Sequence, residues 1–218
     1  MKKISILLFA FTLLFCACSK EEDDYIRLSA KETAQYCEAI AGSYEAKGYT
    51  LLVAHKDFDH SEVIGKQSDV DGIYIDIDND IEHSMTFWHV PVNALANLLP
   101  ENSDAKTALE KRAPISFLTS YQFETTVASI RGEKLVNFFF QPVTKHFTAT
   151  GDEKTHLITI EIAPSPIYLP YTADMQTVRE EFLKSEVRFD ITSMTVDGEE
   201  YKHFDLMVAM EIAEASER

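Results

Sequence analysis

Between residues 73 and 81 the chain alternates without a break. Ile73, Ile75, Ile77 and Ile81 fall on one side of an extended backbone, and Tyr74, Asp76, Asp78 and Asp80 on the other. A period of two means a strand with one buried and one solvated face. Asn79-Asp80 turns the chain, and 85–90 is the returning strand. The same period runs through 44–56, where Gly48 marks a bend or bulge. Upstream the period is helical. Ala30, Ala34, Cys37, Ile40 and Ala41 share one face over 30–41, Ser29 and Glu32 supply a capping box, and Gly42 follows the last turn. Residues 57–72 are polar and read as a loop.

Pro91 opens a short helix over 92–99, and Ser103 or Asp104 caps a second over 104–112. Strands follow at 115–130, 135–141, 143–150 and 156–163. Arg131-Gly132-Glu133 and Thr150-Gly151-Asp152-Glu153 are turns between them. Residues 163–171 carry three prolines and are expected to be extended and at an edge. A helical turn over 177–184 precedes strands 186–196 and 201–212, paired across Asp197-Gly198. The pattern predicts an α+β, β-dominated fold: an antiparallel β-sandwich or open barrel of about eight to ten strands, with an N-terminal helix and a short helical crossover.

The start of the chain breaks the pattern. Lys2 and Lys3 precede an apolar run over 4–15, too short for the about 20 residues of a spanning helix. A basic start, an apolar core and a small residue before a cut predict a secretory signal peptide. Ala17 is small and stands directly before Cys18, whereas Phe15 stands before Cys16. The chain is therefore expected to divide into a signal peptide (1–17), a lipidated acidic tether (18–28) and a single β-rich domain (29–218).

Charge narrows the partners. The 218 residues hold 20 basic and 36 acidic side chains, for a net charge of −16. Loss of Lys2 and Lys3 takes this to −18. With no run of lysine and arginine, nucleic acid is excluded as a partner. Of three cysteines, Cys16 is expected to leave with the signal and Cys18 to begin the mature chain. Cys37 has no disulfide partner and reads as a small buried hydrophobe.

Phe15-Cys16-Ala17-Cys18 resembles the lipobox of bacterial lipoproteins, with Cys18 as the acylated, palmitate-bearing first residue of the mature chain. It departs from that pattern at Phe15, where leucine is usual, and at Cys16. Ser19-Lys20-Glu21-Glu22-Asp23-Asp24 resembles the surface-export signal of Bacteroidetes lipoproteins, which implies the outer face of the outer membrane. Physically, the same charges make a solvated tether holding a domain off an anionic surface, as a periplasm-facing lipoprotein also needs. The helix with Gly42-Ser43-Tyr44 is similar to the start of lipocalin-like barrels, which favour tryptophan where Tyr44 stands. The chain as a whole resembles the small uncharacterised surface lipoproteins of Bacteroidetes, a likeness that implies no activity.

Asp69, Asp71, Asp76, Asp78, Asp80 and Glu82 form an acidic cluster. Asp76-Ile77-Asp78-Asn79-Asp80 imitates the opening of a calcium loop, but Ile81 stands in place of its glycine and Phe87 in place of its final glutamate. Acids alternating along one strand face do not converge, so a solvated face is expected. His55, Asp57, Asp59 and His60 have zinc-type side chains without a second pair to fix geometry. No nucleophile elbow or phosphate loop is present, and no cofactor is implied. Trp88, beside Phe87 and between apolar residues, is expected in the core; an exposed tryptophan would suit a sugar ring. The leading expectation is a non-catalytic outer-membrane lipoprotein that binds an extracellular glycan or protein. The alternatives are a calycin-like carrier of a small apolar ligand and a hydrolase whose site is assembled from distant acids and histidines.

Overall fold

The computed structural model describes residues 28–54, 61–67, 72–80, 82–126, 134–201 and 205–214. Cys18, the acidic run and the His55, Asp57, Asp59, His60, Asp69 and Asp71 positions lie outside them. The expected helix is α1, Ala30–Ile40. Its capping box forms as read: the Ser29 hydroxyl accepts from the Glu32 backbone, and the Glu32 carboxylate accepts from the Ser29 N–H at 2.7 Å.

Strands β1 (Gly42–Ala54), β2 (Ser61–Gln67), β3 (Tyr74–Ile77) and β4 (Ser84–Val90) follow. A 3₁₀ turn, Asn93–Leu98, and α2, Asp104–Glu110, make the helical connection to β5 (Ile115–Thr126). Then come β6 (Leu135–Phe140), β7 (Val143–Thr150), β8 (Thr155–Pro164) and β9 (Ile167–Pro170). Helix α3 (Met175–Leu183) precedes β10 (Glu186–Val196), β11 (Glu199–Tyr201) and β12 (Asp205–Glu214).

Ten strands lie on one antiparallel path, in the order β7-β8-β10-β12-β1-β3-β4-β5-β6-β9, with β2 joined to β1 and β11 to β10. The path splits into two sheets that share β5: its first half pairs with β4 and its second with β6. The larger sheet curls, so Phe87 of β4 and Phe117 of β5 meet Phe189 of β10 across the interior, at ring separations of 5.8 and 6.2 Å. The expected β-dominated fold with an N-terminal helix is what the chain adopts.

Local chemistry sets several details. The register of β1 against β12 shifts between Ala46 and Gly48, so Gly48 does mark a bulge. Asp197 and Gly198 have φ of 53° and 86°, the pair of positive values that a tight turn between twisted strands requires. Strand β9, which ends in Pro170 and follows Pro164 and Pro166, pairs with β6 and ends the path among the described strands, which suits a segment short of N–H donors. One expectation needs correction. Part of the 57–72 loop is β2, which pairs with β1 at Tyr49↔Gln67 through Ala54↔Ser61. Backbone hydrogen bonding to a long neighbour makes this strand despite its polar sequence.

Helices α1 and α3 pack together beside β9. Tyr36 donates to the Pro170 carbonyl at 2.7 Å, and Arg179 donates to the Ala39 carbonyl at 3.0 Å. Tyr44, at the position where lipocalin-like barrels favour tryptophan, is fully buried. Its hydroxyl donates to the Ile40 carbonyl at 2.6 Å, and its ring stands edge-on to Phe182. None of the helices among the described residues is long and apolar enough to cross a membrane.

Candidate functional site

The outer face of β3, β4 and β5 carries the most exposed large aromatic side chain of the β3–β4 hairpin. Alternation along β4 buries Met85 and Phe87 and turns Thr86 and Trp88 outward. Trp88 is 40 % exposed, not packed in the core as its apolar neighbours suggested. Tyr74 stands directly opposite it on β3, and Leu118 stands opposite Thr86 on β5, 64 % exposed. A tryptophan, a tyrosine and a leucine thus share a surface with polar side chains: Ser43, Glu45, Asp76, Ser84, Thr86 and Ser116.

Trp88 is held in place. Its indole N–H donates to one Asp76 oxygen at 2.6 Å, and the Ser43 hydroxyl donates to the other, also at 2.6 Å. The strand register aligns these groups, with Ser43 opposite Asp76 on β1 and Asp76 opposite Thr86 on β4. Beyond Trp88 the pairing of β4 with β5 shifts between Phe87 and Val90, and His89 has a φ of 57°. Such a bulge re-aims side chains at the end of a strand. The His89 N–H donates to the Ser116 hydroxyl at 3.2 Å. Its ring Nδ1 lies 2.7 Å from the Gly72 carbonyl, which can only accept, so Nδ1 carries the proton there.

The acidic strand face is solvated, as expected, but Asp76 is committed to Trp88 and Ser43, while Asp80 accepts from the Ser84 N–H and hydroxyl at 3.0 and 2.9 Å. The Ser84 backbone bond is the first cause holding the Asp80 pKa below the ordinary carboxylate value. Among the described residues no three histidine, cysteine or acidic side chains gather as metal ligands. Cys37 is buried with its sulfur 3.7 Å from His83 Nε2. Burial pushes its thiol pKa up, which opposes formation of a nucleophilic thiolate.

A second cluster joins acids and a histidine that the sequence left far apart. His156 is 4 % exposed. Its Nε2 lies 3.0 Å from Asp104 at the start of α2, and its Nδ1 lies 2.9 Å from Asp197 in the β10–β11 turn. Asp104 also accepts the N–H groups of Asp152, Glu153 and Lys154 at 2.7, 3.1 and 3.1 Å. Partial burial pulls its pKa upward; these donors and His156 overcome that and hold it at about 2. Asp197 is held well below the carboxylate range by Lys154 first, then by the Leu157 N–H and His156. Carboxylates only accept, so both contacts are made when His156 is protonated on both nitrogens. With both ring nitrogens engaged, this is a clamp on three chain segments and offers no free base.

Inside the curled sheet the described side chains pack closely around one small cavity. An apolar cavity lined by Val92, Leu95, Ile160 and Phe189 measures about 10 Å³, no more than one water requires. This cavity has no room for an apolar ligand.

Residues 39–189, from the end of α1 into β10, match the family described as Domain of unknown function (DUF4840). The chain belongs to this family. No curated protein and no solved structure matches it. Trp88, Asp76, Asp104 and His156 lie inside the DUF4840 match, whereas Asp197 lies beyond it. No motif marked the Trp88 platform. The signal that finds it is the strict alternation of β4, which puts Trp88 on the side of Thr86 rather than Phe87.

Proposed function

We propose that this DUF4840 protein is an exported, lipid-anchored, non-catalytic binding domain whose β3–β4–β5 face holds a carbohydrate against Trp88. The single observation that carries the reading is Trp88 itself, exposed yet fixed by Asp76. A flat ring held at a set angle costs little ordering when a sugar face settles on it. The hydroxyls and carboxylate around it match a ligand rich in O–H groups better than they match the apolar centre of a protein interface. Anchoring rests on the resemblance of residues 15–18 to a lipobox. That resemblance would put the lipid on Cys18 and the attachment at the outer membrane, and the resemblance of residues 19–24 to a surface-export signal would make Lys20, Glu21, Glu22, Asp23 and Asp24 the route to the cell surface.

Glycan-array screening followed by calorimetry tests the binding face. Trp88→Ala should weaken the best glycan by roughly tenfold or more, as loss of a central aromatic anchor does, with an unchanged melting temperature. A glycan that binds wild type and Trp88→Ala equally would refute the assignment. For the anchor, cells fed labelled palmitate should label the wild-type protein and not Cys18→Ala. Surface protease should cut wild type and spare a variant with residues 20–24 neutralised. A domain protected until the outer membrane is opened would place it facing the periplasm.

A further inference from the structure

Beside the start of β5 lies an open groove of about 510 Å³. Arg112, Pro114, Ile115 and Ser116 form one wall, and the edge strand β7 with Leu157 of β8 forms the other. The curl of the larger sheet brings its two end strands, β5 and β7, to the same opening. Arg112, Lys145 and His146 line it together with Pro114, Phe147 and Leu157.

Among the described residues Arg112 and Lys145 have no acidic partner, although the chain carries 36 acids against 20 bases. Elsewhere Lys106, Lys111, Lys154, Lys184 and Arg188 are all ion-paired. Arg112 instead stacks over Phe147 at 5.8 Å, and its Nε is buried with no acceptor. A buried donor left unmade is costly. Among the described residues no acidic side chain lines the groove. The clamp explains how Arg112 is placed. Asp104 ties the start of α2 to the β7–β8 turn, and Lys111 bonds Asp152 in the same turn at 2.8 Å. Arg112 follows directly.

We infer that this groove is a second binding site, taking the carboxylate of an acidic polysaccharide. A guanidinium fork matches a carboxylate, and Lys145 adds a point charge. Pro114 and Leu157, 52 % exposed, offer apolar surface to the C–H face of a ring. The net charge of −16 opposes an anion at a distance. At physiological salt that repulsion is screened beyond about 8 Å, so contacts inside the groove decide.

The test is titration of the soluble domain with a hexuronate oligosaccharide, its methyl ester, inorganic phosphate and a glutamate hexapeptide, followed by amide shifts. The uronate should bind and move the amides of Ser116, His146, Phe147 and Thr148. Esterification, Arg112→Gln and Lys145→Gln should each weaken it roughly tenfold, as loss of a charge-assisted bond does, and added salt should weaken it too. Equal binding of the ester, or of the peptide or phosphate, would overturn the inference. So would a Lys145→Gln protein that self-associates with its uronate affinity unchanged. Lys145 would then serve only to keep a free strand edge from pairing.

Discussion

Phe87→Ala lowers the free energy of unfolding by about 3–5 kcal/mol, and the melting temperature by roughly 10 °C. Phe87 is fully buried at the point where three strands converge. Its ring stacks on Phe117 at 4.6 Å and meets Phe140 and Phe189 edge-on at 5.1 and 5.8 Å. These partners come from β5, β6 and β10, so the ring joins both sheets to the far wall of the curl. No single neighbour can fill the space left by its removal, because each is fixed in its own strand register. Urea unfolding of wild type and variant measures the difference. A loss below about 1 kcal/mol would mean that the site collapses freely, contrary to the closed aromatic centre described here.

Asp104→Ala opens the β7–β8 turn. Three N–H groups lose their acceptor together, and the buried His156 ring loses one of its two partners. Hydrogen exchange at Asp152, Glu153 and Lys154 should accelerate by roughly tenfold to a hundredfold. Gly151→Ala should act in the same direction, because a methyl group there would overlap both carboxylate oxygens of Asp104. The clamp also predicts a pH response. Asp104 has its pKa lowered from 3.8 to about 2 in the folded protein. Its contribution is therefore complete above pH 4 and is lost as pH falls from there toward 2. Asp197, lower still, gives way after it. Urea midpoints of the wild type should fall over that window, and those of Asp104→Ala should fall less steeply. Parallel slopes for the two proteins would show that Asp104 is not the group titrating.

What the sequence makes legible is chemistry that acts over a few residues. Ser29 and Glu32 cap a helix whatever it packs against, Ile73, Ile75 and Ile77 need one buried face, and Asp197-Gly198 is built for a tight turn. The polar strand β2 escapes this logic because its structure comes from β1, not from its own side chains. The apolar neighbours of Trp88 point to the core, but the phase of the strand decides its side. The clamp depends on pairs 52 and 41 residues apart, and the groove depends on how two sheet ends approach. No local pattern encodes either one.

The pairing of β1 with β12 sets a timetable for synthesis. Gly42–Ala54 is the first of the described strands to leave the ribosome, and its neighbour Asp205–Glu214 is the last. Until that strand appears, β1 and β10 lack their shared partner and the larger sheet stays in two unjoined parts. Such long-range closure makes folding slow. The chain therefore has no finished larger sheet until Asp205–Glu214 has been made.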